Sequence, residues 1–237
     1  ALINAIETLT LFIAKGLEQS LLTKFKECQV KLQNTDLVAA EVTANKALKN
    51  ICLHYLASLT QHLGLVEQQF SNSDNMTDSL AALNCSAKYN LSSFTDQMSV
   101  FENKWQDTAL VMDKWFSLSA CLAHSDIFTQ LIDLTAHPLF SLKNPNRARS
   151  LIGAFAMNNP KYFHCASGKG YEFLADNIAK LNTINPQVAS RLITPLIQFN
   201  SFAQPHKKLM KAQLLRLQSL PNLSNDLKEK LEASLSN

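Results

Sequence analysis

Six histidines and five cysteines are the residues of this sequence best suited to bind a metal or attack a substrate, and their spacing organises neither chemistry. A zinc hydrolase needs two imidazoles one helical turn apart with a carboxylate between them, the H-E-x-x-H pattern. No pair among His54, His62, His124, His137, His164 and His206 has that spacing. His54 and His62 could share a helix face, but no acid completes a site beside them, and His164 and Cys165 are neighbours that a regular helix points apart. Cys28, Cys52, Cys85, Cys121 and Cys165 are odd in number, widely separated and free of any C-x-x-C pair. That usage reads as reduced thiols filling core positions of a cytoplasmic protein. No G-x-S-x-G elbow occurs, and Gly168-Lys169-Gly170 is too short for a phosphate loop. The expectation is therefore a chain with no complete catalytic centre and no metal site of its own.

Two arginines stand apart from this background. Asn185-Pro186 opens a helix whose apolar stripe is Val188, Leu192, Pro195, Leu196 and Phe199, with Gln187, Arg191, Thr194 and Gln198 as a polar stripe beside it. Asn144-Pro145 opens another, in which Leu151, Ile152 and Phe155 face inward. Arg149 lies on the opposite side with Gly153, which leaves room for another backbone or a ligand. Two readings are open. Both guanidinium groups are solvated or tie loops together, or they line a cavity where their forked donors bind carboxylates or carbonyls.

The elements that carry these residues are helical throughout. Five glycines in 237 residues are few for a sheet protein, since average usage is about 7%. Apolar residues recur at helical spacing, as in Ala44, Leu48, Ile51, Cys52, Tyr55, Leu56 and Leu59, in Phe94, Met98, Phe101 and Trp105, and in Met112, Trp115 and Leu118 after a break near Asp107. The two Asn-Pro starts each place an N-cap residue before a proline at the first helical position. Gln204-Pro205 resembles a third such start. Asn158-Asn159-Pro160 closes the helix begun at Pro145, Gly168–Gly170 reads as a loop before a helix from Tyr171 to Leu181, and Pro195 should kink or end its helix. Ser224 is placed to cap a last helix through Leu227, Leu231 and Leu235. The Asn-Pro starts lie 41 residues apart, near the period of about 40–47 residues of HEAT and armadillo repeats. The fold expected is all-α, an α-solenoid of antiparallel helix pairs, with residues 1–237 as a single helical-repeat domain.

Composition excludes several partners. The net charge is +3, with no basic block, so a nucleic-acid partner is not indicated. No apolar run approaches the 18 or more residues that a membrane span needs. The start, with Glu7 and no basic region, does not resemble a signal peptide, and the missing initiator Met suggests a fragment. N-x-S/T triplets at Asn75, Asn84, Asn90 and Asn222 carry little weight. Charged residues make up 17%, below the usual ~25%, as though part of the surface were covered by something outside this sequence.

Four ordered stretches resemble the C-terminal region of the bacterial aminopeptidase N family, which are zinc metalloexopeptidases: 74–83 (DNMTDSLAAL), 110–116 (LVMDKWF), 144–156 (NPNRARSLIGAFA) and 185–193 (NPQVASRLI). The resemblance runs from about residue 40 to the end. It implies a C-terminal fragment of a larger multi-domain enzyme, a superhelix of paired helices that packs on the catalytic domain, encloses the active-site cavity and limits substrate access. The family's G-x-M-E-N and H-E-x-x-H signatures belong to a preceding domain and are absent here. Zinc is thus implied for the parent's catalytic domain only, and peptides for the enclosed cavity. Arg149 and Arg191 match cavity-facing arginines of the family, with Gln187, one turn before Arg191, as a third candidate. The rival expectation is a free-standing α-solenoid adaptor that binds a protein partner. An excised domain should expose an apolar patch fitted to a missing neighbour, whereas an adaptor should carry polar capping repeats at both ends.

Overall fold

The computed structural model describes residues 2–236, and among them every regular element is helical. The chain divides into two compact units, one ending at Trp105 and the other starting at Gln106.

The first unit holds α1 (Leu2–Lys31), α2 (Ala39–Leu56), a 3₁₀ turn (Thr60–His62), α3 (Leu63–Asn72), α4 (Met76–Lys88) and α5 (Phe94–Trp105). Helix α1 packs along α2, α3 pairs with α4, and α4 also rests on α2. The core gathers Phe25, Cys52, Leu53, Leu56, Val66, Ala82 and Cys85. On α2 the buried face is turned from the one its apolar spacing suggests. Leu48 and Ile51 are exposed, while Lys49 and Leu53 are buried. The reason is a polar contact: Lys49 Nζ reaches Asp78 Oδ2 at 2.8 Å, with both side chains nearly excluded from water. Asn50 donates to the other carboxylate oxygen at 3.0 Å, and Gln69 donates to Asn50 Oδ1 at 2.8 Å. Asn75 caps α4 by accepting the Asp78 N–H at 3.0 Å and also donates to the Asp78 carboxylate at 3.1 Å. Burial pushes the Asp78 pKa up, but these hydrogen bonds and the Lys49 charge outweigh it and hold the carboxyl below its ordinary value.

The second unit holds α6 (Ala109–Ala120), α7 (Ile127–Thr135), α8 (Pro145–Ala148), a π-helical turn (Arg149–Gly153), α9 (Ala154–Asn158), α10 (Pro160–Phe163), α11 (Lys169–Ile184), α12 (Pro186–Leu192), α13 (Thr194–Ile197), a 3₁₀ turn (Phe199–Ser201), α14 (His206–Gln218) and α15 (Asn225–Leu235). Both Asn-Pro starts form as the sequence indicates. Asn144 Oδ1 accepts the N–H groups of Asn146 and Arg147, and Asn185 Oδ1 accepts that of Val188. The segment from Pro145 runs without interruption through the π turn to Asn158, where Asn159 ends it. Asn159 then caps α10, and its amide donates to the carbonyls of Ala120 and Leu122 at 3.1 and 3.0 Å. Around Pro195 the helix stops at Leu192 and restarts as α13.

Three boundaries differ from the sequence expectation. At Gln204-Pro205 the helix α14 starts at His206, so Pro205 is its N-cap residue and not its first helical residue. The loop lies earlier, over residues 164–168, and ends at Gly168: Gly168 takes a left-handed φ of 75°, and Lys169 and Gly170 already belong to α11. Ser224 precedes α15 but makes no side-chain cap; its N–H instead donates to Asn182 Oδ1 at 2.9 Å. The cysteine expectation holds for Cys28, Cys52 and Cys85, which are buried, whereas Cys121 and Cys165 are only half-buried. The histidines take packing roles: His164 and His206 both reach the buried Tyr171 hydroxyl, at 2.8 and 3.0 Å, and His62 pairs with Glu18 at 2.8 Å.

Gly170 has a role no other residue could fill, because a Cβ there would sit 2.3 Å from the Phe163 carbonyl oxygen. Replacing a helical glycine by alanine ordinarily gains up to ~1 kcal/mol. Here Gly170→Ala should lower the thermal midpoint, whereas Gly64→Ala, with open space around its Cβ, should not; differential scanning calorimetry of the pair distinguishes them. Lys49→Ala should cost about 3 kcal/mol in urea unfolding at pH 7, since it strands a buried carboxylate. The sign with pH follows from the lowered Asp78 pKa: the stabilisation is present above the ordinary carboxylate value and is lost as pH falls through the folded one. The cost of Lys49→Ala should therefore shrink on acidification below about pH 4.

Candidate ligand groove

The two arginines singled out by the sequence come together on one groove of the second unit. Its volume is about 780 Å³. One wall is the α6 stripe Leu110, Asp113, Lys114 and Ser117, spaced i, i+3, i+4, i+7. The opposite wall is the outward face of the Pro145–Asn158 helix, with Asn146, Arg149, Ser150, Gly153, Ala154, Met157 and Asn158. Arg191 and Leu192 of α12 close one end. Gln187 is exposed one turn before Arg191 and lies outside the lining. Gly153 admits the Leu192 side chain rather than a ligand, since a Cβ at 153 would lie 3.1 Å from Leu192 Cδ2. Leu110 and Met157 are 69% and 55% exposed, so the groove offers apolar surface to a ligand.

Charge is what distinguishes this groove. Among the described residues Asp113 is the only acid that lines it, and that acid is already committed. Arg147, 5% exposed, brings Nη1 to 3.0 Å from Asp113 Oδ1 and lays its guanidinium 4.8 Å from the Phe116 ring centroid. The N–H is not aimed for a hydrogen bond, and Arg147 Nε and Nη1 and Asp113 Oδ1 have no hydrogen-bond partner. The attraction is therefore coulombic and cation–π in kind. With Asp113 neutralised from behind, Lys114, Arg149 and Arg191 remain uncompensated. Arg149 donates to a neutral partner, Asn146 Oδ1, at 3.2 Å. Arg191 and Lys114 make no side-chain hydrogen bond or ion pair among the described residues. Three cations over an apolar floor suit a ligand with a carboxylate and apolar side chains. The groove holds no nucleophile with an adjacent base, and among the described residues no group of three His, Cys, Asp or Glu could hold a metal. The residues present do not fit a zinc ion.

Arg147, Lys114 and Asn146 were not picked out from sequence. The signal for Arg147 was present: residues two apart on a helix point to nearly opposite sides, so an outward Arg149 turns Arg147 into the core. The π turn, a feature frequent at functional sites, leaves no such trace in composition.

Comparison with known proteins accounts for the whole fold. The family described as "Domain of unknown function (DUF3458_C) ARM repeats" matches residues 1–236. The chain belongs to this ARM-repeat family. Aminopeptidase N of Haemophilus influenzae is 41% identical over 233 residues, 98% of this chain and 27% of the relative. Aminopeptidase N of Escherichia coli strain K12 is 40% identical over 237 residues, again 27% of its length. The chain thus spans about a quarter of these relatives and matches their C-terminal part. The crystal structure of Legionella pneumophila aminopeptidase A in complex with aspartic acid shares the fold, with a TM-score of 0.87 at 23% identity over 99% of this chain and 28% of that one. The match includes the first forty residues, where the quoted stretches are silent.

The roles of the three arginines separate by stability. Arg147→Ala should cost about 3 kcal/mol in chemical denaturation because it leaves Asp113 without its cation. Arg149→Ala and Arg191→Ala should each stay within about 0.5 kcal/mol of the parent, as exposed residues not needed for packing do.

Proposed function

We propose that this chain is the non-catalytic C-terminal domain of a zinc aminopeptidase, and that its cationic groove faces the chamber in which peptides are trimmed. The observation that carries the reading is the convergence of Lys114, Arg149 and Arg191, uncompensated, on one partly apolar groove. Relatives at 40–41% identity that bear the name aminopeptidase N support the enzymatic context. In this reading the groove receives the end of the peptide remote from the scissile bond. Guanidinium forks hold its terminal carboxylate or an acidic side chain, while the exposed Leu110 and Met157 take apolar side chains. Gln187 stands where a longer ligand would pass beyond Arg191.

The chemistry belongs to the parent's catalytic domain, which is the partner of this chain and the holder of zinc. The groove contributes binding and exclusion, not bond cleavage: a wall on the chamber admits extended peptides and turns folded ones away. The single family match over residues 1–236 supports one helical-repeat domain, and a cytoplasmic setting is proposed from the odd, widely spaced cysteines of the sequence alone.

Kinetics of the longer enzyme test this. Arg149→Ala and Arg191→Ala should raise KM for peptides with a free carboxyl terminus by about 10-fold, the worth of a charged hydrogen bond. Amidated peptides and aminoacyl arylamides should be handled as before. Equal effects on all substrates would remove the groove from substrate binding. Turnover of an arylamide by the purified 237-residue chain would contradict the non-catalytic assignment.

A further inference from the structure

A second groove of the same unit lies between α7 and α11, with a volume of about 470 Å³. Helix α7 supplies Phe128, Ile132 and Thr135, which share one face at i, i+4, i+7. Helix α11 supplies Lys169, Glu172, Phe173, Asp176, Asn177 and Lys180, a stripe along its axis. No lining residue is common to this groove and the cationic one. The two meet the Pro145–Asn158 helix on different sides. Arg149 and Gly153 line the cationic groove, whereas the inward Phe155 meets Phe128 and Phe173 edge-on, with ring centroids 5.9 and 5.4 Å away.

The floor of the second groove is apolar and open to a ligand. Ile132 is 62% exposed, and Phe128 and Phe173 are half-buried. Among them sits one buried polar side chain, Asn177, only 4% exposed. Asn177 Nδ2 donates to the Phe173 carbonyl at 2.8 Å, while Oδ1 accepts no hydrogen bond among the described residues. A desolvated acceptor without a donor is costly, and a ligand that brings an N–H removes the cost. The side-chain amide has the donor and acceptor of a peptide bond, so a backbone N–H is its direct complement. The charges here are nearly balanced, unlike those of the first groove. Asp176 is held by Arg216 of α14 at 2.7 Å, and Glu172 stands between Lys169 and Lys180. That balance gives no preference for a charged chain end.

We propose that the α7–α11 groove binds the interior of an extended apolar peptide segment. Asn177 receives a backbone N–H, and side chains rest on Ile132, Phe128 and Phe173. The stripe from Lys169 to Lys180 is about 16 Å long at the helical rise per residue, the span of about five residues of extended chain. The site goes beyond the chamber reading and does not rest on it. The cationic groove takes a chain end by its charge, and this one takes a chain middle by its backbone.

Fluorescence anisotropy tests this on the 237-residue chain. The probe is a dye-labelled pentapeptide of alternating leucine and serine, acetylated and amidated so that neither end is charged. The expected result is saturable binding that Asn177→Leu and Ile132→Glu each weaken by about 10-fold or more. Methylating the backbone nitrogens of the inner peptide residues should weaken it as much. Ile132 is exposed, so Ile132→Glu decides the question even where Asn177→Leu fails to fold. Arg149→Ala and Arg191→Ala should leave this binding unchanged. Absence of saturable binding overturns the proposal, and so does binding indifferent to Ile132→Glu or to backbone methylation. Binding lost in Arg149→Ala places the peptide in the first groove and equally overturns it. Self-association that Ile132→Glu abolishes, read by sedimentation velocity, assigns the face to a second copy and does the same. Loss of carboxylate discrimination by the cationic groove, with capped-peptide binding intact, would undo the functional reading and leave this one standing.

Discussion

The architecture of the groove depends on where one guanidinium goes. Arg147 is driven into the core between Phe116 and Asp113, and that placement fixes the rotation of the Pro145–Asn158 helix on α6. Because the helix cannot turn without exposing Phe155 or stranding Asp113, Arg149 must point outward over the groove. The Asn144 cap and Pro145 set the start of this helix, and Asn159 sets its end. Caps, ion pair and aromatic contact therefore act together to present a cation whose own side chain contributes little to stability.

The electrostatics follow from the same arrangement. A lone Asp113 beside Lys114 would partly cancel the groove's charge. Pairing it from behind with Arg147 removes that cancellation and leaves Lys114, Arg149 and Arg191 free to attract an anion. Apolar surface at Leu110 and Met157 lowers the local dielectric, which strengthens such an attraction relative to open water. A site built this way can recognise a carboxylate without performing any reaction on it.

Much of this was legible in the sequence. Asn-Pro starts, glycine scarcity and helical spacing fix the fold class, and the inward Leu151, Ile152 and Phe155 place Arg149 on the outer side. What was not legible came from contacts distant in the chain. Nothing near Lys49 in sequence marks it as buried; Asp78, from another helix, draws it inward, which turns α2 and exposes Leu48 and Ile51. Gly153 has the local look of an opening for a ligand, but Leu192 from another helix fills it. Gln187 shares a stripe with Arg191 yet misses the groove, because one turn of α12 carries it past the wall. Lys114 enters the site only through the packing of α6, which no local pattern records.

Direct binding examines the central claim, that the groove reads a carboxylate. With the 237-residue chain labelled with ¹⁵N-arginine, the side-chain Nε signals are followed during titration with a short apolar peptide and with its C-terminal amide. The account predicts that the Arg149 and Arg191 signals shift with the free acid, that Arg147 stays in place, and that the amide moves none of them. Equal shifts with acid and amide, or shifts confined to arginines outside the groove, would contradict it.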